Sequence, residues 1–332
     1  MPAIELLYQA GLSSLQGNIA VMNAQVEPRL RALCLQVESY QLQQSFKPVC
    51  DEIMSMGLQS TCDIDGAFDG VLVFPSKNKL LSLSNMAKAM LLLHENGKIM
   101  MGCANVHGAK SYASALKQLA GDVSSTSKSK CRVFSARRDT GFDEHLAKQW
   151  IDAAKMRDVE SHGLYSQPGL FSWDRADIGS ALLLQYLPEL SGEGMDLCCG
   201  YGLLSDRILK KFPDITQWYM VEADHMALHC AKKNTLLWQD KVKLFWQDAQ
   251  LDGLPNKLDF VICNPPFHTG QDQDIDLGQA IVAQACRSLK RGGHLYMVAN
   301  RKLPYEAVLA KHVRSHDTVI ETQGFKIMHG VR

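Results

Sequence analysis

The sequence predicts an α/β protein of two tandem domains, each a doubly wound, mostly parallel sheet of the Rossmann-like kind. Three observations carry this. Strand and helix patterns alternate through the second half, two blocks of the first half repeat blocks of the second in order, and 332 residues exceed one core of ordinary size. In the second half, residues 194–199 form a short apolar run ending at glycine, and 203–212 follow with helical spacing. Residues 218–222 are apolar and β-prone, and Asp224 offers an N-cap to a helix running on to Trp238. Residues 241–247 read as a third strand, 258–263 as a fourth, 276–289 as a helix and 294–299 as a fifth strand, with Asp272, Asp274 and Asp276 in an acidic loop before that helix. Residues 317–321 and 325–331, parted by Gln323 and Gly324, form a hairpin that adds an antiparallel edge.

The first half makes sense when laid over the second. Block 68–75 aligns with 258–265, and block 97–105 with 292–300, their separations differing by only five residues. A duplicated domain is expected, with ranges 1–158 and 159–332. Phe74 stands where the second copy has Asn264, Lys77 where it has Phe267, and no glycine-rich turn precedes them, so the N-terminal copy is expected to be degenerate and chemically inert.

Bulk properties exclude several classes. Apolar residues at 46% and charged ones at 21% describe an ordered globular chain. Basic and acidic residues balance at 35 each, so any nucleic-acid contact must come from a local patch. The candidate is Lys128, Lys130, Arg132, Arg137 and Arg138, with no acid between them. Ten cysteines lie in apolar runs without a signal peptide or a Cys-x-x-Cys pair, and read as reduced thiols. No metal is expected, no apolar run is long enough to span a bilayer, and a cytoplasmic protein follows as the expectation.

Asp196-Leu197-Cys198-Cys199-Gly200-Tyr201-Gly202 ends a strand and opens a helix. Glycine lets the backbone approach a ligand, and the helix start presents free amide donors. Glu222 ends the next strand, twenty positions beyond Gly202, where a carboxylate can accept both hydroxyls of a ribose. Nicotinamide dinucleotides and S-adenosylmethionine are both served by that geometry. Asp248, after the third strand, is a candidate acceptor for an adenine amino group.

Asn264-Pro265-Pro266-Phe267 follows the fourth strand, at the sheet edge that faces the ligand crevice. The lone pair of an exocyclic amine is delocalised, and acceptors aimed at its two hydrogens favour the pyramidal geometry needed for attack on a sulfonium methyl. The Asn264 side-chain oxygen and the Pro265 carbonyl are the candidate acceptors. The prolines bring no competing amide donor, and Phe267 offers a face for a planar substrate. Methyl transfer from S-adenosylmethionine to an amino nitrogen is therefore the expected chemistry. The tetrapeptide alone does not separate guanine, adenine and glutamine as acceptors.

With this upstream turn, the tetrapeptide resembles that of amino methyltransferases acting on those three groups. The segment 168–180, the run from Asn264 through His268, Thr269 and Gly270, and Val298-Ala299-Asn300-Arg301 resemble the ribosomal RNA guanine-N2 methyltransferases, the small-subunit enzymes above all. The resemblance implies tandem class I methyltransferase domains on seven-stranded mixed sheets. It further implies cofactor binding by the second domain alone, and as substrate a guanine of 16S ribosomal RNA, in the small subunit or an assembly intermediate. A large-subunit substrate, methylation of adenine N6 or glutamine N5, and a ribosome assembly factor without activity are the alternatives, and a monomer is expected. The sequence departs from the family's turn at its first glycine, which is Cys198 here; a small residue is tolerated there if φ is negative.

Overall fold

The computed structural model describes residues 2–266 and 272–332, and the chain divides into two compact units, Met1–Lys155 and Met156–Arg332. The first unit runs α1 (Pro2–Ser14), β1 (Asn18–Met22), α2 (Pro28–Gln36), β2 (Ser39–Gln43), α3 (Lys47–Ser55), β3 (Phe68–Val73), α4 (Lys79–Leu92), β4 (Leu93–Ala104), α5 (Ala109–Ala120), β5 (Ser124–Lys128), β6 (Cys131–Arg137) and α6 (Glu144–Ala153). The second runs β7 (Arg157–Val159), β8 (Leu164–Ser166), α7 (Ile178–Gln185), β9 (Gly192–Leu197), α8 (Leu203–Lys211), β10 (Ile215–Glu222), α9 (His225–Asn234), β11 (Val242–Trp246), β12 (Leu258–Cys263), α10 (Asp272–Ser288), β13 (Leu289–Asn300), α11 (Glu306–His312), β14 (Ser315–Thr322) and β15 (Phe325–Val331).

In the second unit the sheet order is β11-β10-β9-β12-β13-β15-β14, parallel through β13 and closed by the antiparallel hairpin of β15 and β14. Helices cover both faces, which is why β12 is apolar almost throughout. Phe260 and Ile262 pack with Leu204, Ile208 and Leu209 of α8, while Val261 and Cys263 pack with Val282, Ala285 and Cys286 of α10. Asp224 caps α9 as expected, accepting from the Met226 amide at 2.9 Å. Helix α10 starts at Asp272, four residues before its expected start, so the three aspartates lie in its first turns and not in a loop.

Among the described residues the first unit has six strands, ordered β2-β1-β3-β4-β6-β5, and in place of β11 a single parallel bridge between Gln43 and Thr61. Otherwise the topology repeats, down to one register shift. Phe68 pairs with Leu93 and Gly70 with Lys98, as Leu258 pairs with Leu289 and Phe260 with His294. This corrects the expected alignment by one residue, since Gly97 corresponds to Gly293 and Asn96 to Gly292. The backbone says the same: Arg138 donates to the Gly97 carbonyl at 2.9 Å and Arg332 to that of Gly293 at 3.0 Å. Asn96 (φ 63°) and Gly292 (φ 81°) are both left-handed, and Asn is the side-chain-bearing residue that best tolerates this.

The expected basic patch is divided. Ser129 and Lys130, at φ 52° and 60°, form the tight turn between β5 and β6. Arg137 donates to the Asn96 carbonyl at 2.7 Å, and Arg138 to those of Leu91 and Leu93, so both hold the fold.

Candidate active site

Strand β9 lies between β10 and β12. The chain leaves it toward β10 and later returns on the other side, which opens a crevice at the carboxyl ends of β9 and β12. Leu197 and Cys263 are paired, so the segments beginning at Cys198 and Asn264 leave the sheet side by side. The two candidate motifs meet here.

Cys198 has φ 65°, contrary to the negative φ expected, at a cost of about 1–2 kcal/mol for a residue with a Cβ. Its amide and that of Cys199 both donate to the Val221 carbonyl, at 2.9 and 3.1 Å, and this pins the turn. Gly200 is also left-handed, with open space where a Cβ would stand. Gly202 (φ 88°) starts α8, and a Cβ there would lie 3.2 Å from Met220 and 3.3 Å from Ala231, so glycine lets this helix close on the sheet. A hydrogen bond with Cys263 and burial push the Cys198 thiol well above its ordinary pKa, and burial does the same to Cys199. Neither is a thiolate nucleophile.

Glu222 secures the turn. One carboxylate oxygen accepts from Gly200 at 2.8 Å, the other from Ala223 at 2.8 Å and Asp224 at 3.0 Å. Three of about four acceptor positions are thereby used, leaving room for one ribose hydroxyl where two were expected. Burial raises the Glu222 pKa against the pull of these amides. Asp196 is fully buried: one oxygen takes the Ser205 hydroxyl at 2.6 Å, and Ser205 in turn accepts from the Trp218 indole at 2.9 Å. Its other oxygen has no partner among the described residues, and burial pushes the acid up to about 7. Asp248 accepts from the Gln250 amide at 2.9 Å and shapes its own turn beyond β11.

The first unit shows what a degenerate version looks like. Asn23 (φ 54°) takes the place of Cys198, and Gln25 and Glu27 fill the positions of Gly200 and Gly202. Gln44 replaces Glu222, and its oxygen accepts from Ser45 and Phe46, both at 2.9 Å, as Glu222 accepts from Ala223 and Asp224. Its amide nitrogen donates to the Ala24 carbonyl at 2.8 Å. Phe74, in place of Asn264, is buried against Tyr8 at 4.9 Å between ring centroids.

Asn264 is held by two residues to which the sequence assigned no role. Its amide nitrogen donates to Asp177 at 3.0 Å and to the Ser180 hydroxyl at 2.9 Å. A carboxylate only accepts, which fixes the NH2 end toward Asp177 and leaves the Asn264 oxygen as an acceptor facing away. Asp177 also caps α7, taking the Ser180 amide at 2.7 Å. The Asp-x-x-Ser spacing before an apolar helix signals that cap, but nothing local signals its partner Asn264. Pro265 is buried, while Phe267 and His268 lie outside the described residues.

These features fit S-adenosylmethionine. An unpartnered buried carboxylate oxygen and a raised Glu222, neither ion-paired among the described residues, suit a cationic ligand, and the space at Gly200 suits close approach. Fold and site together define a class I S-adenosylmethionine-dependent methyltransferase. Residues 161–329 match the methyltransferase small domain family, and ribosomal RNA small subunit methyltransferase C of Alteromonas mediterranea is 30% identical over 254 residues, 76% of this chain and 69% of that one. The chain belongs to this ribosomal RNA small subunit methyltransferase C family. The relative of the same name from Hahella chejuensis is 30% identical over 273 residues, 81% of this chain and 79% of its own. The solved structure of a T. thermophilus 16S rRNA N2 methyltransferase (RsmC), in complex with AdoMet and guanosine, shares the fold at a TM-score of 0.83 and 19% identity, covering 98% of this chain and 92% of that one. Among the described residues no helix is long and apolar enough to cross a membrane.

Proposed function

We propose that this chain transfers a methyl group from S-adenosylmethionine to the exocyclic N2 of a guanine in 16S ribosomal RNA. The observation that carries the reading is the fixed Asn264 amide, whose nitrogen is engaged by Asp177 and Ser180 so that its oxygen is presented as an acceptor. The names of the relatives support the ribosomal substrate.

Bound cofactor supplies a methyl group on a sulfonium. Gly200, Gly202 and Cys198 form the turn against which it lies, Glu222 takes a ribose hydroxyl, Asp196 supplies the buried negative charge beneath the turn, and Asp248 accepts from the adenine. The guanine leaves its stack to enter the crevice, where Phe267 supplies a stacking face. Asn264 and the Pro265 carbonyl accept the two N2 hydrogens and orient the nitrogen lone pair for in-line displacement. The proton released on methylation passes to water. The N-terminal copy positions the RNA, and the protein works as a monomer in the cytoplasm.

Labelled methyl transfer to 16S ribosomal RNA lacking the modification, followed by nucleoside digestion, tests this. N2-methylguanosine is the expected product. Label in N6-methyladenosine, or in 23S RNA alone, overturns the substrate assignment.

A further inference from the structure

Asn264 presents one acceptor, but a methyl-accepting amine never comes alone. Guanine N2 is flanked by the N1–H donor, adenine N6 by a bare N1 acceptor, and a glutamine amide nitrogen by its own carbonyl oxygen. Whatever lies beside Asn264 therefore separates three substrates that the tetrapeptide treats alike.

Asp177 is such a neighbour, bonded to the nitrogen end of the Asn264 amide. Its two carboxylate oxygens are used unequally: one receives both the Ser180 amide at 2.7 Å and the Asn264 amide at 3.0 Å, which fills its two lone-pair positions. The other has no hydrogen-bond partner among the described residues and is not among the enclosed polar atoms, and the residue is half-buried. No ion pair with Asp177 occurs among the described residues. An open carboxylate acceptor thus belongs to the same residue that fixes the Asn264 amide, and a helix cap locks it in place.

We propose that the second oxygen of Asp177 accepts the N1–H of the target guanine and makes Asp177 the residue that selects guanine over other amino substrates. Acceptors from two hydrogen-bonded residues, Asp177 and Asn264, would then meet the neighbouring donors N1–H and N2–H. Adenine would set its N1 lone pair against a carboxylate, and a glutamine amide would do so with its carbonyl. A charge-assisted hydrogen bond of this kind is strong when made, and the wrong substrate leaves the acceptor desolvated and unpaired. The inference rests on the guanine reading and adds the atom that enforces it.

The pair of nucleosides that isolates this contact is guanosine and 2-aminopurine riboside, which keeps the 2-amino group but has a bare N1. Their affinities are measured by calorimetry on the full chain saturated with S-adenosylhomocysteine. The wild type should favour guanosine by at least about tenfold, the scale of a lost base-edge contact. Asp177→Asn keeps a capping oxygen for Ser180 and Asn264 but turns an NH2 toward N1, and should reverse the preference. Asp177→Thr, which also caps helices, should bring the ratio close to one and serves if the Asn variant does not fold. Ser180→Ala loosens Asn264 without touching the open oxygen, so kcat for 16S RNA should fall while the nucleoside ratio stays. An unchanged ratio in the Asp177 variants, with guanosine still bound, overturns the role of Asp177 alone. Binding of neither nucleoside by a cofactor-loaded wild type overturns the guanine reading with it.

Discussion

Replacing Asp196 with Asn tests how a buried acid couples this methyltransferase to pH. The carboxyl is wholly buried, with one oxygen on Ser205 and the other unpartnered, and burial lifts it from 3.8 to about 7. At 1.36 kcal/mol per pKa unit, ionising it inside the fold costs about 4 kcal/mol. The folded state holds this proton more tightly than the unfolded chain, so the stabilisation is complete below the unfolded value near 3.8 and is lost as pH rises to about 7. The amide of the Asp196→Asn variant carries no proton to lose. Unfolding of the second domain by urea should therefore show the variant gaining on the wild type from about pH 4 to about pH 7, by a few kcal/mol at most. Cofactor should act in the opposite sense, because a cation beside the turn favours the ionised acid. Calorimetry should find wild-type affinity for S-adenosylmethionine rising over that interval and the variant's staying flat. Parallel pH profiles for the two proteins, in stability and in affinity, would refute the burial of a titrating charge beneath the turn.

Three further outcomes follow from the site. Asn264→Ala should abolish methyl transfer, a loss of about 100-fold or more for a preorganised acceptor, while leaving cofactor affinity within about twofold by calorimetry. Loss of cofactor binding as well would contradict the role given to Asn264. Glu222→Gln should fold normally, since Gln44 makes two of the same amide bonds, yet weaken the cofactor by about tenfold or more through loss of a charge-assisted hydrogen bond. Cys198→Val should lower the unfolding free energy read from urea titration by about 1–3 kcal/mol, because a β-branched residue fits φ 65° poorly, whereas Cys198→Asn should be tolerated as Asn23 is.

The catalytic half was largely legible because its signals are local. Strand β12 carries its apolar run between turn residues, Asp224 announces α9, and Gln323-Gly324 announces the hairpin. The positions of Glu222 and Asn264 follow from strand endings. Three things were hidden. Asp177 and Ser180 reach Asn264 across 87 and 84 residues of sequence, and no spacing rule spans that distance. The φ of Cys198 is dictated by the turn between β9 and α8 and not by the residue, so a small side chain gave no warning of it. The repeat was aligned one residue out because two adjacent glycines, Gly292 and Gly293, offer two matches for Gly97, and only the strand pairing decides between them.

The pairing of Gln44 with Glu222 has a meaning beyond the loss of one site. The turn occurs in both units, and the bonds common to the two are those a backbone needs whether or not anything binds. The two amides that follow β2 and β10 are held in both copies, and so is the left-handed residue after β1 and β9. The bond from Glu222 to Gly200, the negative charge itself and the Asn264 amide are found only where catalysis is expected. The molecule thus carries its own control experiment, in which the architecture of the turn stands in one unit apart from the groups that serve chemistry in the other.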